Sequence, residues 1–559
     1  MATKILLTIL PYWDPMIPPM GITSLKRHLQ KKGYLVRTED LIVQQEFLDF
    51  YHQYFKILEK IVPYEKRGNF NNIGHDVLQT QMIAHFNKKD NDKSYQELVQ
   101  LIIYNHFYVN TSEKFVKEII DNVENFYWKL EKFFSELLDQ YKPDVLGVTA
   151  YKCTLPASLF VLKLAKEKMP KIKTIMGGGT FNESHSVDSP NFENLLNISQ
   201  DYLDKIIIGE GEILIDEYLK GNLDNSKRYY TKEDIDNRYL EFKEKENPDF
   251  SDLDISKYPY LAATSSLSCI YDCSFCVAKR VGGEYRTKDP KQLGQEMNEL
   301  RNKYNKQLFF MTDSLINPAI TNISKEFIRQ NYSFYFDAYF KVDVPSGDIR
   351  NTLLWRKGGL YRVRLGTESG SQKILEKMDK KITVSQIKDT VSALAFAGIK
   401  TTTYWVIGHP GETEEDFQMT LDLIEELKDD IYQAECNYFL YHYSQQASAD
   451  LWSKSRMLLY PKKYNDLLVF KHWTLKLDPV REEAFRRVHR FEAHCRKLGI
   501  PNPYSLNEHL EADKRWSRLH KNAVPILTDF YGEEKNIQEN LEIQESSFAI
   551  NKREELLEF

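Results

Sequence analysis

Three cysteines, Cys269, Cys273 and Cys276, stand within eight positions of the stretch SCIYDCSFCVAK, and they are half of the six cysteines in a chain of 559 residues. Thiolates so crowded bind soft metal centres. A structural zinc site closes with four Cys or His ligands, usually as two pairs. Here the nearest other cysteine or histidine is His185 on one side and His409 on the other. A four-iron cluster held by three cysteines instead leaves one iron open to an exogenous ligand. The missing fourth ligand can then be a cofactor or substrate, and Cys269, Cys273 and Cys276 are the candidate [4Fe-4S] ligands and catalytic residues. Cys153, Cys436 and Cys495 are expected to be dispensable for it, the first lying in another domain and the others on packed strand or helix faces.

Something must position that loop. From about 260 to 450, strand candidates (LAATSSLS, KQLFFMTD, YSFYFDAYF, YRVRLGTES, KTTTYWVIG, AECNYFLYHY) are mostly separated by helical stretches such as VSQIKDTVSALAFAG. Six βα units predict a partial parallel (β/α)6 barrel with its chemistry at the carboxyl ends of the strands. Ahead of it, KILLTIL, DVLGVTA, KIKTIMGGG and DKIIIGEGE alternate with helical segments, as in a doubly wound, Rossmann-like α/β sheet whose ligand crevice lies outside the strand ends. The predicted boundaries are 1–225 for this first domain, with a helical insertion at about 41–140; 226–258 for a charged linker; 259–455 for the barrel; and 456–559 for a helical C-terminal region. The insertion reads as packing material or as a substrate-facing cap. Asp478-Pro479 is expected to cap and open a helix whose apolar face is Ala484, Phe485, Val488, Phe491, Cys495 and Leu498, closed by Gly499. His489 and His494 on that helix are five apart, a poor spacing for joint metal ligation. Residues 535–559 read as a disordered tail or a late docking helix.

Composition narrows the class. With 42% hydrophobic residues the chain can fill several cores, and a net charge of −6 with no basic stripe speaks against a mainly electrostatic nucleic-acid binder. The N-terminal apolar run is too short for a signal-peptide core, and no stretch of about 18 apolar residues offers a membrane span. Few cysteines in so long a chain suit a reducing, cytoplasmic setting.

C-x3-C-x2-C after a barrel's first strand resembles the radical SAM superfamily, and the resemblance extends beyond the cysteines. Phe275 supplies the aromatic before the third cysteine, FFMTDSLIN resembles the acidic second-strand motif, VRLGTESGSQKILEKMDKKIT the fourth-strand Glu-Ser segment, and VIGHPGET the fifth-strand glycine motif. The resemblance implies that S-adenosylmethionine (SAM) chelates the open iron and is cleaved to a 5′-deoxyadenosyl radical. By motif position Glu368, with Ser369, would hold the SAM ribose or amine, Lys341 its carboxylate, and Gly408 and Gly411 would let backbone approach the adenosine. Lys341 reads equally as a solvated strand-end lysine, and Asp313 as cavity-lining or as a structural cap.

The first domain, in the order PPMGITSLKRHLQKKGY, DVLGVTA, IMGGGTF, IIIGEGE ahead of such a core, resembles the cobalamin-binding domain of class B radical SAM proteins. Thr149, Gly177, Gly178, Gly179 and Thr180 would accept the nucleotide tail, with Gly209 and Glu210 at the next strand end. The D-x-H-x-x-G signature is absent, so no histidine is expected as the lower cobalt ligand; a domain that keeps the fold without the cofactor is the alternative. The expected function is a cobalamin-dependent radical SAM methyltransferase acting on an unactivated carbon or phosphorus of a natural-product or peptide substrate, with [4Fe-4S], SAM and cobalamin as cofactors. A flavodoxin- or ferredoxin-type electron donor is the expected partner, with no nucleic acid and no membrane. A class B enzyme that cyclises, rearranges or oxidises without methyl transfer is one alternative; a non-catalytic iron–sulfur sensor or scaffold is another.

Overall fold

The computed structural model describes residues 2–11, 16–182, 185–245, 247–443, 450–503 and 506–520. They form two compact units, one of residues up to 64, 72–258 and 441–475, the other of residues 65–71, 259–440 and those from 476 onward. The stretch 535–559 lies outside the described residues.

The first unit is built on a six-stranded parallel sheet: β1 (Lys4–Ile9), β2 (Leu35–Asp40), β3 (Val145–Thr149), β4 (Lys173–Gly177), β5 (Lys205–Ile207) and β6 (Tyr229–Tyr230), in the order β2-β1-β3-β4-β5-β6. The chain leaves β1 for β2 on one side and returns for β3 on the other, which puts the topological switch point between β1 and β3. On one face Ile5, Leu7, Ile22, Leu29, Ile175, Leu214 and Ile215 join strands to the helices Met20–Lys31 and Gly211–Lys220 in one buried cluster. The insertion is four helices, Gln45–Ile61, Phe70–Asn87, Asp92–Phe107 and Glu113–Tyr141. They close around aromatic contacts such as Phe47–Phe126 and Phe50–Phe126, at 5.6 and 4.5 Å between ring centres.

Residues 226–258 do not behave as the expected linker. They add β6 to the sheet edge, bury Phe250 and Tyr258, and bring Asp249 and Asp252 to the buried Lys26 at 3.2 and 2.8 Å. The charges that suggested a solvated connection are partners for a cation inside the domain. The segment 441–475, expected to straddle the barrel's end and the C-terminal region, packs on the first unit. Asparagine amides hold its backbone, Asn191 on Lys471 (3.0 Å) and Asn194 on Val469 (2.8 Å).

The second unit is an open parallel barrel. β7 (Leu261–Ala263) is followed by a small antiparallel ribbon of β8 (Ser266–Leu267) and β9 (Arg286–Thr287), then β10 (Leu308–Met311), β11 (Tyr335–Lys341), β12 (Leu360–Glu368), β13 (Lys400–Ile407) and β14 (Gln433–Tyr438); the sheet order is β14-β13-β12-β11-β10-β7. Side chains alternate across each strand, and the floor of the concave side is closed by charge. Asp337, fully buried, takes Arg364 at 3.0 Å, while Arg362 donates to Thr402 and Gln433, both at 2.9 Å. The helix Leu506–Leu519 plugs the strands' amino ends. Asp513 pairs there with the buried Lys400 and accepts from the Tyr432 hydroxyl at 2.8 Å, beside Trp516. No helix among the described residues is long and apolar enough to cross a membrane.

The C-terminal helix starts later than expected. It runs Arg481–Lys497 with Val480 as N-cap, and the Asp478-Pro479 peptide before it is cis. Its Ala484, Phe485, Val488, Phe491 and Cys495 are buried, as the spacing predicts, whereas Leu498, expected on the same face, is its C-cap and only half-buried. Glu492 shares that face, accepting from Asn502 Nδ2 at 3.1 Å on each oxygen and from the Cys436 thiol at 3.4 Å. Burial among neutral donors pushes its carboxyl from the ordinary 4.5 up to about 7. Between those values the folded state holds a proton that the unfolded chain has released, so stability falls as pH rises through that window. Glu492→Gln should remove a fall on the order of 2–3 kcal/mol, measured as urea unfolding from pH 4.5 to 7.5; parallel pH profiles for variant and parent would refute it.

Candidate cluster and cofactor site

The cysteine loop leaves β8 through Ser268, at φ +73°, and its base is closed by Ser268 Oγ donating to Gly283 O at 2.7 Å. Backbone amides aim at two of the sulfurs, Tyr271 N at Cys269 Sγ (3.5 Å) and Ala278 N at Cys276 Sγ (3.4 Å). The loop's middle is docked on the segment after β12, Ser274 N donating to Met378 O at 2.9 Å and Ser274 Oγ to Lys377 O at 3.2 Å. Cys273 is buried, Cys269 and Cys276 half-buried. Burial raises the Cys273 and Cys276 thiols, while Lys380 and Lys341 pull Cys273 back down.

Two strand ends and the segment after β12 converge on this loop. Lys341, last residue of β11, places Nζ 3.7 Å from the centre of the Tyr271 ring and donates to Lys380 O. Glu368, last residue of β12, sits at φ +64° beside an irregularity of the β12–β13 register and forms a buried ion pair with Lys380. Lys380 Nζ also stands 5.7 Å from the Phe275 ring centre. Gly366 makes room for the pair, because a Cβ there would lie 2.5 Å from Glu368 Oε1 and 2.8 Å from Lys380 Nζ.

Sequence reasoning picked out Cys269, Cys273, Cys276, Phe275, Lys341 and Glu368, and the fold brings them together. It missed Lys380 and Gly366, both inside the quoted segment VRLGTESGSQKILEKMDKKIT. The other candidates have partners within the chain. Asp313 latches β10 to the strand-one loop, accepting from Ser265 N at 3.1 Å and Ser265 Oγ at 2.7 Å, which is the cap reading. Ser369 Oγ accepts from Ser371 N at 3.1 Å. At Gly408 a Cβ would fall 2.4 Å from Ala484 Cβ, and at Gly411 2.1 Å from Lys377 Nζ, so this motif's glycines admit the chain's own side chains. Gly408 N is held by Glu412 Oε2 (2.9 Å), which also accepts from Arg487 Nη1 (2.8 Å). Burial lifts the Glu412 carboxyl to about 7 against that guanidinium.

In the first unit the glycine run is likewise spoken for. A Cβ on Gly178 (φ +111°) would meet Ala150 O at 2.5 Å, one on Gly179 the Tyr151 ring at 3.0 Å, and one on Gly177 Ile207 O at 3.3 Å. The run is a tight turn zipped to β3 by Ala150 N to Gly177 O (2.7 Å) and Thr180 N to Ala150 O (3.0 Å). Thr149 ends β3 half-buried beside it, and Thr180 is buried, with Oγ1 3.4 Å from His185 Nδ1. Gly209 alone among these glycines, at φ +91°, faces open space. Glu210 next to it pairs with Lys245 at 2.7 Å.

The donor set is three thiols with backbone amides aimed at two of them and two lysines nearby, which is the chemistry a four-iron cluster takes from a protein. Among the described residues no three His, Cys, Asp or Glu side chains converge on one ion position.

Residues 265–424 match the Radical SAM superfamily model. The chain is 25% identical over 327 residues to an anaerobic magnesium-protoporphyrin IX monomethyl ester cyclase of Rubrivivax gelatinosus, a match covering 53% of this chain and 56% of the cyclase. It is 24% identical over 369 residues to an uncharacterized methyltransferase of Pyrococcus horikoshii, covering 62% and 75%. In fold it is similar to the radical SAM methyltransferase TsrM of Kitasatospora setae, solved with tryptophan and a SAM analogue; the TM-score is 0.59 at 13% identity, over 97% of this chain and 100% of that one. Residues 265–424 are thus a radical SAM domain, preceded in the sequence by a doubly wound parallel sheet, in a chain whose fold is similar to that of TsrM.

Proposed function

We propose that the chain is a cobalamin-dependent radical SAM methyltransferase acting on an unactivated carbon, or phosphorus, of a natural-product or peptide substrate. The observation that carries this is the convergence of three cysteines, Lys341, Glu368 and Lys380 at the carboxyl-end side of an open parallel barrel, in a chain that also carries a doubly wound sheet with its switch point between β1 and β3. Cluster and SAM supply an adenosyl radical when bound, and cobalamin a methyl donor. The chain's own part is to hold and shield. Cys269, Cys273 and Cys276 hold the cluster, Glu368 orients a ligand amine, Lys341 and Lys380 face its carboxylate, and the closed barrel floor keeps water from the reacting carbon. Gly209 after β5, with Thr149 at the end of β3 two strands away, admits the cobalamin tail, and a reduced flavodoxin or ferredoxin delivers the electron.

The likeness to a cyclase supports a second reading in which the same cofactors end in ring closure. Counting products separates the two. With reconstituted protein, SAM, reductant and substrate, S-adenosylhomocysteine together with 5′-deoxyadenosine means methylation, 5′-deoxyadenosine alone means the second reading, and neither would overturn both.

Gly209 gives a direct test of the crevice. Gly209→Phe should abolish cobalamin uptake, measured by absorbance after reconstitution, while Gly209→Ala, which bears the same backbone cost of about 1 kcal/mol, should retain it. Equal uptake by the two variants would remove the assignment.

A further inference from the structure

We infer that the buried Lys380–Glu368 pair sets the reduction potential of the cluster, with Lys380 as a positioning residue that raises it and Glu368 as the charge that lowers it; this rests on the iron–sulfur reading of the three cysteines. Both side chains are buried, at 7% and 9% exposure, so their charges act through protein and are weakly screened. Lys380 lies within electrostatic reach of Cys273 and Cys276, and its cation stands 5.7 Å from the ring of Phe275, the residue between them in the loop that precedes Cys276 directly. Glu368 acts on Cys273 with the opposite sign.

The geometry is held from three directions, as a tuning charge requires. Gly366 leaves the space the pair occupies, and any Cβ there would collide with both of its ends. The Lys380 carbonyl is fixed by Lys341 Nζ. Two residues before Lys380, the Met378 carbonyl accepts from Ser274 N, so the cysteine loop and the lysine's backbone move as one piece. Reduction adds one negative charge to a cluster already bearing three thiolates. A cation fixed beside them favours the reduced form, and a fixed carboxylate disfavours it.

The test is a redox titration of the reconstituted cluster, without SAM, followed by the electron paramagnetic resonance signal of the reduced state. Lys380→Met should shift the midpoint to lower potential, Glu368→Gln should shift it to higher potential, Lys380→Arg should restore the parent value, and the double variant Lys380→Met/Glu368→Gln should fall between the singles. A merely structural pair would alter the apo-protein's melting temperature without imposing opposite signs on the two midpoints. If the single variants leave the midpoint unchanged, or move it the same way, the inference is overturned. If the parent protein takes up no four-iron cluster, it is the iron–sulfur reading itself that fails. Should Lys380→Met not fold, the upward shift expected of Glu368→Gln still decides the matter.

Discussion

Replacing Cys269, Cys273 and Cys276 together with alanine is expected to abolish iron uptake, the brown colour of the reconstituted protein and all 5′-deoxyadenosine formation, with the fold intact. The loop lies outside the barrel's core. Its base is closed by the β8–β9 ribbon and by Ser268, and its middle is docked through Ser274, all independently of the sulfurs. Removing three thiols therefore deletes the ligand set without creating a core cavity, and the variant's far-ultraviolet circular dichroism and apo melting temperature should match the parent's. Cys153→Ala, Cys436→Ala and Cys495→Ala should each keep the full iron content. Four irons per chain surviving in the triple variant would end the cluster assignment, and loss of iron in any of the three controls would point to a different ligand set.

Asp513→Ala is expected to destabilise the barrel by about 3–5 kcal/mol, because it strips a buried cation of its carboxylate. Lys400 is 1% exposed and Asp513 4%, and the same carboxylate receives the Tyr432 hydroxyl. The penalty comes from desolvated charge, so the double variant Lys400→Met/Asp513→Leu should recover most of the loss. Urea unfolding followed by tryptophan fluorescence, with Trp516 on the same helix as one reporter, measures both. A loss below about 1 kcal/mol would resemble an exposed ion pair and would contradict the helix Leu506–Leu519 as the plug of the barrel.

How legible the protein was depends on whether a feature is local. The strands at 4–9, 145–149, 173–177 and 205–207 and the barrel strands announce themselves as apolar or alternating runs, because each is buried on at least one face. β2 does not. LVRTED lies at the sheet edge with every second residue turned outward, and its charges hide it. The stretch 226–258 misled for the complementary reason: its acidic residues pair with Lys26, some 220 positions earlier, and no local pattern reveals a partner that distant.

The same division holds at the site. The sequence by itself pointed to the chemistry, since three thiols at C-x3-C-x2-C without a nearby fourth ligand suit an open cluster, and Lys341 and Glu368 were picked out by their motif positions in the radical SAM resemblance. Tertiary structure decided which glycines face open space and which face the protein. Gly178, Gly179, Gly408 and Gly411 look alike in the sequence as points of close approach, yet what approaches them is Ala150, Tyr151, Ala484 and Lys377, while Gly209 alone among the candidates opens on free space. Only the fold joins Lys380 to Glu368 beside Gly366, because the ion pair is fixed by where one strand end and one loop meet in space, and the spacing of twelve residues between its members is not a local helical or strand contact.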